Sequence, residues 1–216
     1  MRPYRQFYLA YCTEHGAVFG TVRTMRFLDR FLQRWRSRVA LSWVPVGTRL
    51  LDVGCHQGEF LRYLDDRIAP SVGLDPLAET TSVGPHQIFR DIFQKPTAFP
   101  DESFDAVVML AALEHIREKD SIADECARIL RPSGRVIITV PSRAVDRLVD
   151  LLRWLRLIDG MSLEEHHGFD PMSTPDVFTA RGFDLRYHQV FQGGLNHLFI
   201  FQKAASRHLS HTNEIG

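Results

Sequence analysis

The segment "RLLDVGCHQGEF", residues 49–60, places an acid and two glycines between two apolar runs. Its beginning is typical of a strand and its end of a helix, so Asp52, Gly54 and Gly58 fall on the turn between them. Glycine has no side chain, which lets a ligand approach the backbone of such a turn closely. The arrangement suits a nucleotide-type ligand, and we expect a small-molecule site here.

His56 stands inside this turn, at a place where a tighter version of the turn would have glycine. A side chain is tolerated there if the backbone φ is negative and is costly if φ is positive. We expect a working loop whose imidazole points away from the ligand, and no catalytic role for His56 itself. The alternatives are a loop that binds weakly and a loop that is only a turn.

Two more acids follow later apolar runs. Asp75 ends the run "SVGLD", 17 residues beyond Gly58, and Asp91 follows the run "HQIF". Ligands of open α/β sheets bind at the carboxyl ends of the strands, and an acid at about this distance from the glycine turn suits ribose hydroxyls. Each acid alone could simply cap a helix or a turn. Together with Asp52, their positions predict one nucleotide-like site.

The elements that must position these acids alternate along the chain. Short apolar runs separated by helical stretches predict βαβ units and a parallel sheet. The runs "FDLRYHQVF" and "LNHLFIFQK" flank "QGG" and predict an antiparallel hairpin at the end. We therefore predict an α/β fold with a doubly wound, seven-stranded sheet, mostly parallel, and helices on both faces. The five runs expected to be parallel strands are "RLLDV", "SVGLD", "HQIF", "FDAVVML" and "RVIITV".

The chain divides into four parts by composition. Residues 1–46 are helical and amphipathic in pattern, with an arginine-rich face that is either solvated or a lid over a substrate. Residues 47–205 form the main domain, with a helical insertion at about 143–172, and we expect the tail 206–216 to be disordered. The Leu/Arg-rich run 143–158 either packs on the core or contacts a hydrophobic substrate or a membrane surface.

The overall composition excludes several classes of protein. The 216 residues are 44% hydrophobic, which fits one globular domain with a good core. Lys plus Arg and Asp plus Glu are both 26, so nothing indicates a nucleic acid held by bulk charge. Three scattered cysteines, Cys12, Cys55 and Cys126, predict neither a disulfide framework nor a metal site. With no signal-peptide core and no apolar run of about 20 residues, we expect a cytoplasmic protein.

In the glycine turn, the acids and the strand runs described above, the sequence resembles the small-molecule branch of the class I S-adenosylmethionine-dependent methyltransferases. "LLDVGCHQG" is similar to the first motif of that family and "VGLDP" to the second. "RDIFQKPTAFPDESFDAVV" resembles the stretch whose aspartate contacts adenine, and "LEHI" and "ECARILRPSGRVIITVP" resemble the fourth and fifth strand regions. The resemblance covers residues 48–142 well and 160–203 loosely.

The resemblance implies a Rossmann-like sheet, S-adenosylmethionine as cofactor and S-adenosylhomocysteine as product. It places Asp52, Gly54 and Leu110 near the methionine part of the cofactor, and Asp75 on the ribose. Asp91 and Ile92 would then meet the adenine. With their neighbours in the motifs, the implied cofactor-binding residues are Asp52, Gly54, Cys55, Gly58, Asp75, Pro76, Asp91, Ile92 and Leu110.

The acceptor is less well defined by the sequence. Methyl transfer needs a general base only if the acceptor is a hydroxyl or an acidic carbon. The candidates are Glu114 and His115 after the fourth strand and His166 and His167 after the fifth, each of which could instead have a structural or surface role. Enzymes that methylate nucleic-acid amines carry an N/D-P-P-Y/F element where this chain has "LAALEH". We therefore expect a small-molecule or lipid-like acceptor, with O-, N- and C-methylation left open.

Two rival functions remain. An NAD-dependent oxidoreductase would need G-x-G-x-x-G, which this turn lacks, and would not predict the terminal hairpin. A catalytically inactive methyltransferase-like protein that binds or scaffolds is supported only by His56. The sequence does not predict the oligomeric state.

Overall fold

The computed structural model describes residues 23–142 and 170–204 of the chain. Helices and strands alternate in these two stretches, as the apolar runs predict. The helices are α1 (Arg23–Leu41), α2 (Glu59–Leu64), α3 (Lys119–Ile129) and α4 (Thr174–Thr179). The strands are β1 (Leu50–Val53), β2 (Val72–Leu74), β3 (Thr81–Val83), β4 (His86–Phe89), β5 (Phe104–Leu110), β6 (Leu130–Pro141), β7 (Phe183–Phe191) and β8 (Asn196–Lys203).

The strands form one sheet in the order β3-β4-β2-β1-β5-β6-β8-β7. The five central strands, β4, β2, β1, β5 and β6, run parallel, as the sequence predicts. Strand β1 lies between β2 and β5, so the chain leaves it on one side and later returns on the other. That reversal is a topological switch point, where open α/β sheets bind ligands beyond the carboxyl ends of their strands.

The predicted terminal hairpin is confirmed, and the predicted strand count is corrected. Strands β7 and β8 pair antiparallel, and β8 pairs antiparallel with β6. The sheet has eight strands in the described residues rather than seven, because β3 adds to the far edge by pairing antiparallel with β4. Strand β3 has three residues, two of them exposed, so it carries too little apolar pattern to be recognised in the sequence.

Helices cover both faces of the sheet, as predicted. On one face, Cys126 of α3 and Phe178 of α4 belong to a cluster with Val107 and Phe199. On the other face, Ala40 of α1 and Leu61 of α2 join a second cluster with strand residues. Burying a side chain such as Leu61 contributes about 1.5–3 kcal/mol, so these two layers hold the ends of the central strands in place.

Helix α1 lies within the predicted N-terminal helical segment, but its apolar side chains are less buried than their spacing predicts. Phe31 is 52% exposed and Trp35 is 40% exposed, with their rings 5.8 Å apart. No helix in the described residues is long and apolar enough to cross a membrane. The Leu/Arg-rich run 143–158 and the tail 206–216 lie outside the described residues.

Candidate functional site

Two glycines shape the loop after β1. Gly54 has φ +75°, and a β-carbon on it would lie 2.7 Å from Cβ of Ala112, which follows β5. Gly58 has φ +77°, and a β-carbon there would lie 2.8 Å from Cδ1 of Ile88. Left-handed backbone favours glycine, and neither position leaves room for a side chain. The β1 loop therefore packs directly against the β5 loop, at the switch point of the sheet.

His56 occupies left-handed backbone, with φ +49°. The turn is therefore strained at the position where the sequence has histidine and a tighter turn would have glycine. Nδ1 of its ring lies 2.9 Å from Oε1 of Glu59, and the side chain is 64% exposed. Oε2 of Glu59 accepts a hydrogen bond from the backbone N–H of Gln57 at 3.1 Å. Glu59 thus ties the loop to the first turn of α2, a role that its position directly after Gly58 could have suggested but that we did not predict.

Asp75 holds the same loop from the neighbouring strand. Its Oδ2 accepts the backbone N–H of His56 at 2.9 Å, and its Oδ1 accepts the backbone N–H of Leu77 at 2.8 Å. A carboxylate offers about four acceptor positions, so each oxygen keeps capacity for a further donor. Asp75 can therefore fix the loop and still accept hydrogen bonds from two neighbouring hydroxyls of a ligand.

Asp52, at the carboxyl end of β1, is buried and incompletely paired. It is 2% exposed, and its Oδ2 has no hydrogen-bond partner among the described residues. Burial, first of all, and the negative charges of Asp75 and Glu59 together raise the pKa of its carboxyl to about 8. The end of β1 therefore presents an acid that is costly to ionise unless a positive charge approaches it.

Cys55 follows Gly54 but turns its side chain inward. Its Sγ would lie 2.7 Å from a β-carbon on Gly73 of β2, and burial raises the pKa of its thiol. The backbone N–H groups of Gly54 and Cys55 both donate to the carbonyl of Leu74, at 2.8 and 3.3 Å. The thiol of Cys55 therefore belongs to the core, and its side chain is not available to a ligand.

The other predicted cofactor residues lie at the same end of the sheet, beside the carboxyl ends of the parallel strands. The carbonyl of Pro76 accepts a hydrogen bond from Nε of Arg90 at 3.2 Å. Asp91 is exposed, and its Oδ1 accepts the backbone N–H of Ile92 at 2.8 Å. Leu110 is half-buried at the end of β5, next to the loop that contacts Gly54. Each of these residues ends or follows a parallel strand, so the structure brings the predicted set to the carboxyl-terminal end of the parallel strands.

Glu114 and His115 lie on a short 3₁₀ turn, Leu113–His115, after β5. Glu114 is 3% exposed, and its Oε2 has no hydrogen-bond partner among the described residues. Burial raises its pKa to about 7, although a backbone hydrogen bond and the charges of Arg36 and Lys119 act in the opposite direction. His115 has its Nε2 4.0 Å from Oε1 of Glu114 and a side chain that is 35% exposed. Glu114 is therefore a buried acid whose proton affinity is perturbed, as is common for groups at functional sites.

The remaining candidates lie elsewhere. His166 and His167 are outside the described residues. Within residues 23–142 and 170–204, no group of three or more His, Cys, Asp or Glu side chains is placed to hold a metal ion. Arg36, which reaches Glu114 electrostatically from α1, was not predicted, because only the tertiary structure brings the helix to the β5 loop.

Comparison of the sequence with known proteins finds a matching family model and several relatives. A family model described as "Methyltransferase domain" matches residues 24–188. The ubiquinone biosynthesis O-methyltransferase of Rhodopseudomonas palustris is 26% identical over 153 residues, covering 59% of this chain and 60% of that protein. The protein of that name from Alkalilimnicola ehrlichii is 34% identical over 106 residues, covering 45% of this chain and 43% of the relative. The chain spans less than two thirds of the length of these relatives.

Solved structures share the fold at low sequence identity. A SAM-dependent methyltransferase from Methanosarcina mazei superposes with a TM-score of 0.57 at 19% identity, over 77% of this chain and 97% of the other. An S-adenosylmethionine-dependent methyltransferase from Mesorhizobium loti gives a TM-score of 0.59 at 15% identity, over 77% and 96%. These superpositions agree with a doubly wound, mostly parallel sheet that ends in an antiparallel hairpin.

Proposed function

The chain belongs to the methyltransferase domain family, and we propose that it moves a methyl group from S-adenosylmethionine to a small-molecule or lipid-like acceptor. The observation that carries this proposal is the glycine loop packed at the switch point, with Asp52 and Asp75 beside it. Such a loop suits a nucleoside that carries a cationic tail, because Asp75 can accept hydrogen bonds from hydroxyls and the buried Asp52 can pair with a positive charge.

The described residues fit this cofactor in three respects. The missing side chain of Gly54 lets the β1 loop pack against Ala112, which brings the carboxyl ends of β1 and β5 together at the switch point. Asp75 keeps acceptor capacity on both carboxylate oxygens, as ribose hydroxyls require. Oδ2 of Asp52 has no partner among the described residues, as expected of an acid that pairs with the ammonium or sulfonium charge of the methionine part when the cofactor binds.

We assign the cofactor contacts accordingly. Asp75 and Pro76 would hold the ribose, and Asp91 and Ile92 the adenine. The methionine part would lie against Asp52, Gly54, Leu110, and the loop that contains Cys55 and Gly58. When bound, the cofactor supplies a methyl group on a sulfonium that is its own leaving group. The protein's contribution is to orient the reacting groups and to keep negative charge near the positive donor.

We propose a hydroxyl as the acceptor, because relatives carry the name O-methyltransferase. A hydroxyl acceptor must lose its proton, and a base with a pKa near the working pH suits that task. Glu114 has such a pKa, so we propose it as the base, with His115, His166 and His167 as the alternatives. A phenol and an aniline of matched shape, each incubated with methyl-labelled cofactor, test the acceptor atom. Labelled anisole without labelled methylaniline supports oxygen, and the reverse contradicts it.

An inactive binding protein is the second candidate, and the strained backbone of His56 is the observation that favours it. Calorimetric titration with S-adenosylhomocysteine, with NAD as control ligand, separates the two. We expect micromolar binding that is lost in Asp75→Ala and kept in Asp184→Ala, which changes an exposed acid on β7. If the folded protein binds neither S-adenosylmethionine nor S-adenosylhomocysteine, the proposal is wrong. Binding restored by His56→Gly would assign the fault to the turn.

A further inference from the structure

Three carboxylates surround the loop after β1. Asp52 lies near the carboxyl end of β1, Asp75 follows β2 and Glu59 begins α2, and the charges of Asp75 and Glu59 act on Asp52. The imidazole of His56 pairs with Glu59 at the surface and leaves Asp52 uncompensated. The loop therefore concentrates negative charge around one buried acid.

Among the described residues, the other neighbours of Asp52 supply no positive charge. On the β5 side, Asp52 is opposite Val108, and the next pair in register joins Val53 to Met109. Cys55, in the same loop, is a buried thiol whose pKa is raised. The next acid along the β5 loop is Glu114, and the positive charges of Arg36 and Lys119 act on that residue.

Asp52 differs from the two acids around it in how its oxygens are used. Asp75 accepts two backbone hydrogen bonds, and Glu59 accepts one from Gln57 while lying beside the His56 ring. Asp52 is 2% exposed with an oxygen that no described group satisfies. An ionised carboxylate without solvent or a partner is expensive, so the neutral acid is the more stable form until a cation arrives.

Building on the proposed function, we propose that Asp52 carries a proton in the ligand-free protein and releases it when the α-ammonium group of the cofactor enters. The O–H bond of the Asp52 carboxyl breaks, the proton passes to solvent, and the carboxylate pairs with the ammonium. No electron is transferred and no other reactant is needed. Asp52 thus makes binding of the amino-acid part depend on pH, while the nucleoside part binds independently of it.

The direction of the pH dependence follows from the raised pKa. Because burial and the two neighbouring acids raise the pKa of Asp52 to about 8, the free site holds one more proton than the occupied site at pH 6–7. Ligand binding is then favoured by removing protons, so affinity rises by about tenfold per pH unit in that range and levels off above about pH 8.

Calorimetry with two ligands tests the proposal. S-adenosylhomocysteine carries the α-ammonium, and 5′-methylthioadenosine is a nucleoside without it. Each is titrated between pH 6 and 8 in phosphate and in imidazole, two buffers with different heats of ionisation, so that a difference in the measured heat reveals proton release. We expect S-adenosylhomocysteine to release close to one proton at pH 6.5 and about half a proton at pH 8. We expect 5′-methylthioadenosine to release none and to bind with an affinity that does not change with pH.

Two variants assign the proton. Asp52→Asn should abolish proton release and flatten the affinity profile of S-adenosylhomocysteine, and Asp184→Asn should leave both as in the wild type. Proton release that persists in Asp52→Asn would overturn the assignment. Wild-type binding of S-adenosylhomocysteine with no proton release would overturn the proposal even if Asp52→Asn fails to fold. If neither ligand binds the folded wild-type protein, the proposed function itself fails.

Discussion

The backbone N–H of His56 donates to Oδ2 of Asp75 at 2.9 Å, from a residue whose φ of +49° lies in the left-handed region. The hydrogen bond joins the loop after β1 to the carboxyl end of β2. It uses only the backbone of His56, so any residue that adopts this conformation can make it. The histidine side chain is therefore not needed for the contact that positions Asp75.

His56→Gly should stabilise the protein. A non-glycine residue in left-handed backbone costs about 1–2 kcal/mol, whereas the exposed contact with Glu59 is worth less than about 1 kcal/mol. We expect the free energy of unfolding to rise by about 0.5–1 kcal/mol and the Tm by about 2–3 °C. Thermal unfolding measures this, and S-adenosylhomocysteine affinity should change by less than about threefold. His56→Ala is the control, because it removes the ring and keeps the strain. An equal gain in both variants would contradict the backbone explanation.

Gly54→Ala should damage the site by collision as well as by strain. The new β-carbon would lie 2.7 Å from Cβ of Ala112, whereas Gly182, with φ +80°, has nothing within 4 Å of the corresponding position. Gly182→Ala therefore measures the backbone cost alone, about 1 kcal/mol, and Gly54→Ala should cost about 2–4 kcal/mol. Denaturant unfolding gives both values. The double variant Gly54→Ala/Ala112→Gly should recover part of the difference, and no recovery would mean that the contact with Ala112 is not the cause.

The sequence predicts most of the sheet, because buried strands carry a strong apolar signal. The runs for β4, β5 and β7 match the observed strands residue for residue. The run "SIADECARIL" predicts a helix that is capped at Asp120 or Ser121 and stops at Pro132 and Gly134. The observed helix begins at Lys119 and ends at Ile129, because Leu130 already pairs with Phe104 in the sheet.

The site is predicted less completely than the fold. The positions of Asp52 and Asp75 follow from the ends of apolar runs, but the sequence does not reveal that no described residue pairs with Oδ2 of Asp52. The contact between Gly54 and Ala112 joins residues that are far apart in the chain. Such properties depend on which elements become neighbours, and no local pattern encodes that.

Asp52→Asn should make the protein more stable at high pH. A carboxyl whose pKa is raised from 3.8 to about 8 binds its proton more tightly in the folded state than in the unfolded state. Wild-type stability therefore falls as the pH rises between these values, and the asparagine variant lacks this loss. We expect the variant to exceed the wild type at pH 8.5 by on the order of 2 kcal/mol, and by less at pH 5. Unfolding in denaturant at the two pH values measures the difference. Asp184→Asn should show no such trend, and a constant difference for Asp52→Asn would contradict the raised pKa.

Two buried glutamates should respond oppositely to substitution by glutamine. Oε1 of Glu125 accepts hydrogen bonds from the backbone N–H and Oγ1 of Thr97 and from Arg128, at 2.6–2.8 Å. Burial raises the pKa of Glu125, but these bonds lower it more, so its ionised form stabilises the fold above the unfolded pKa and loses this effect as the pH falls. Glu114 has an oxygen without a described partner and a pKa of about 7.

At pH 7.5, Glu125→Gln should therefore cost about 2 kcal/mol, because it weakens charge-assisted hydrogen bonds and leaves Arg128 less well paired. Glu114→Gln should change the free energy of unfolding by less than about 1 kcal/mol, because the substitution removes a charge that is poorly compensated.

The Glu114→Gln variant should also slow methylation of a phenol that is neutral at this pH more than methylation of a nitrophenol that is already ionised. Denaturant unfolding and a labelled-methyl assay measure the two effects. Equal slowing of both phenols would argue against Glu114 as the base, and a large loss of stability would instead indicate a structural role.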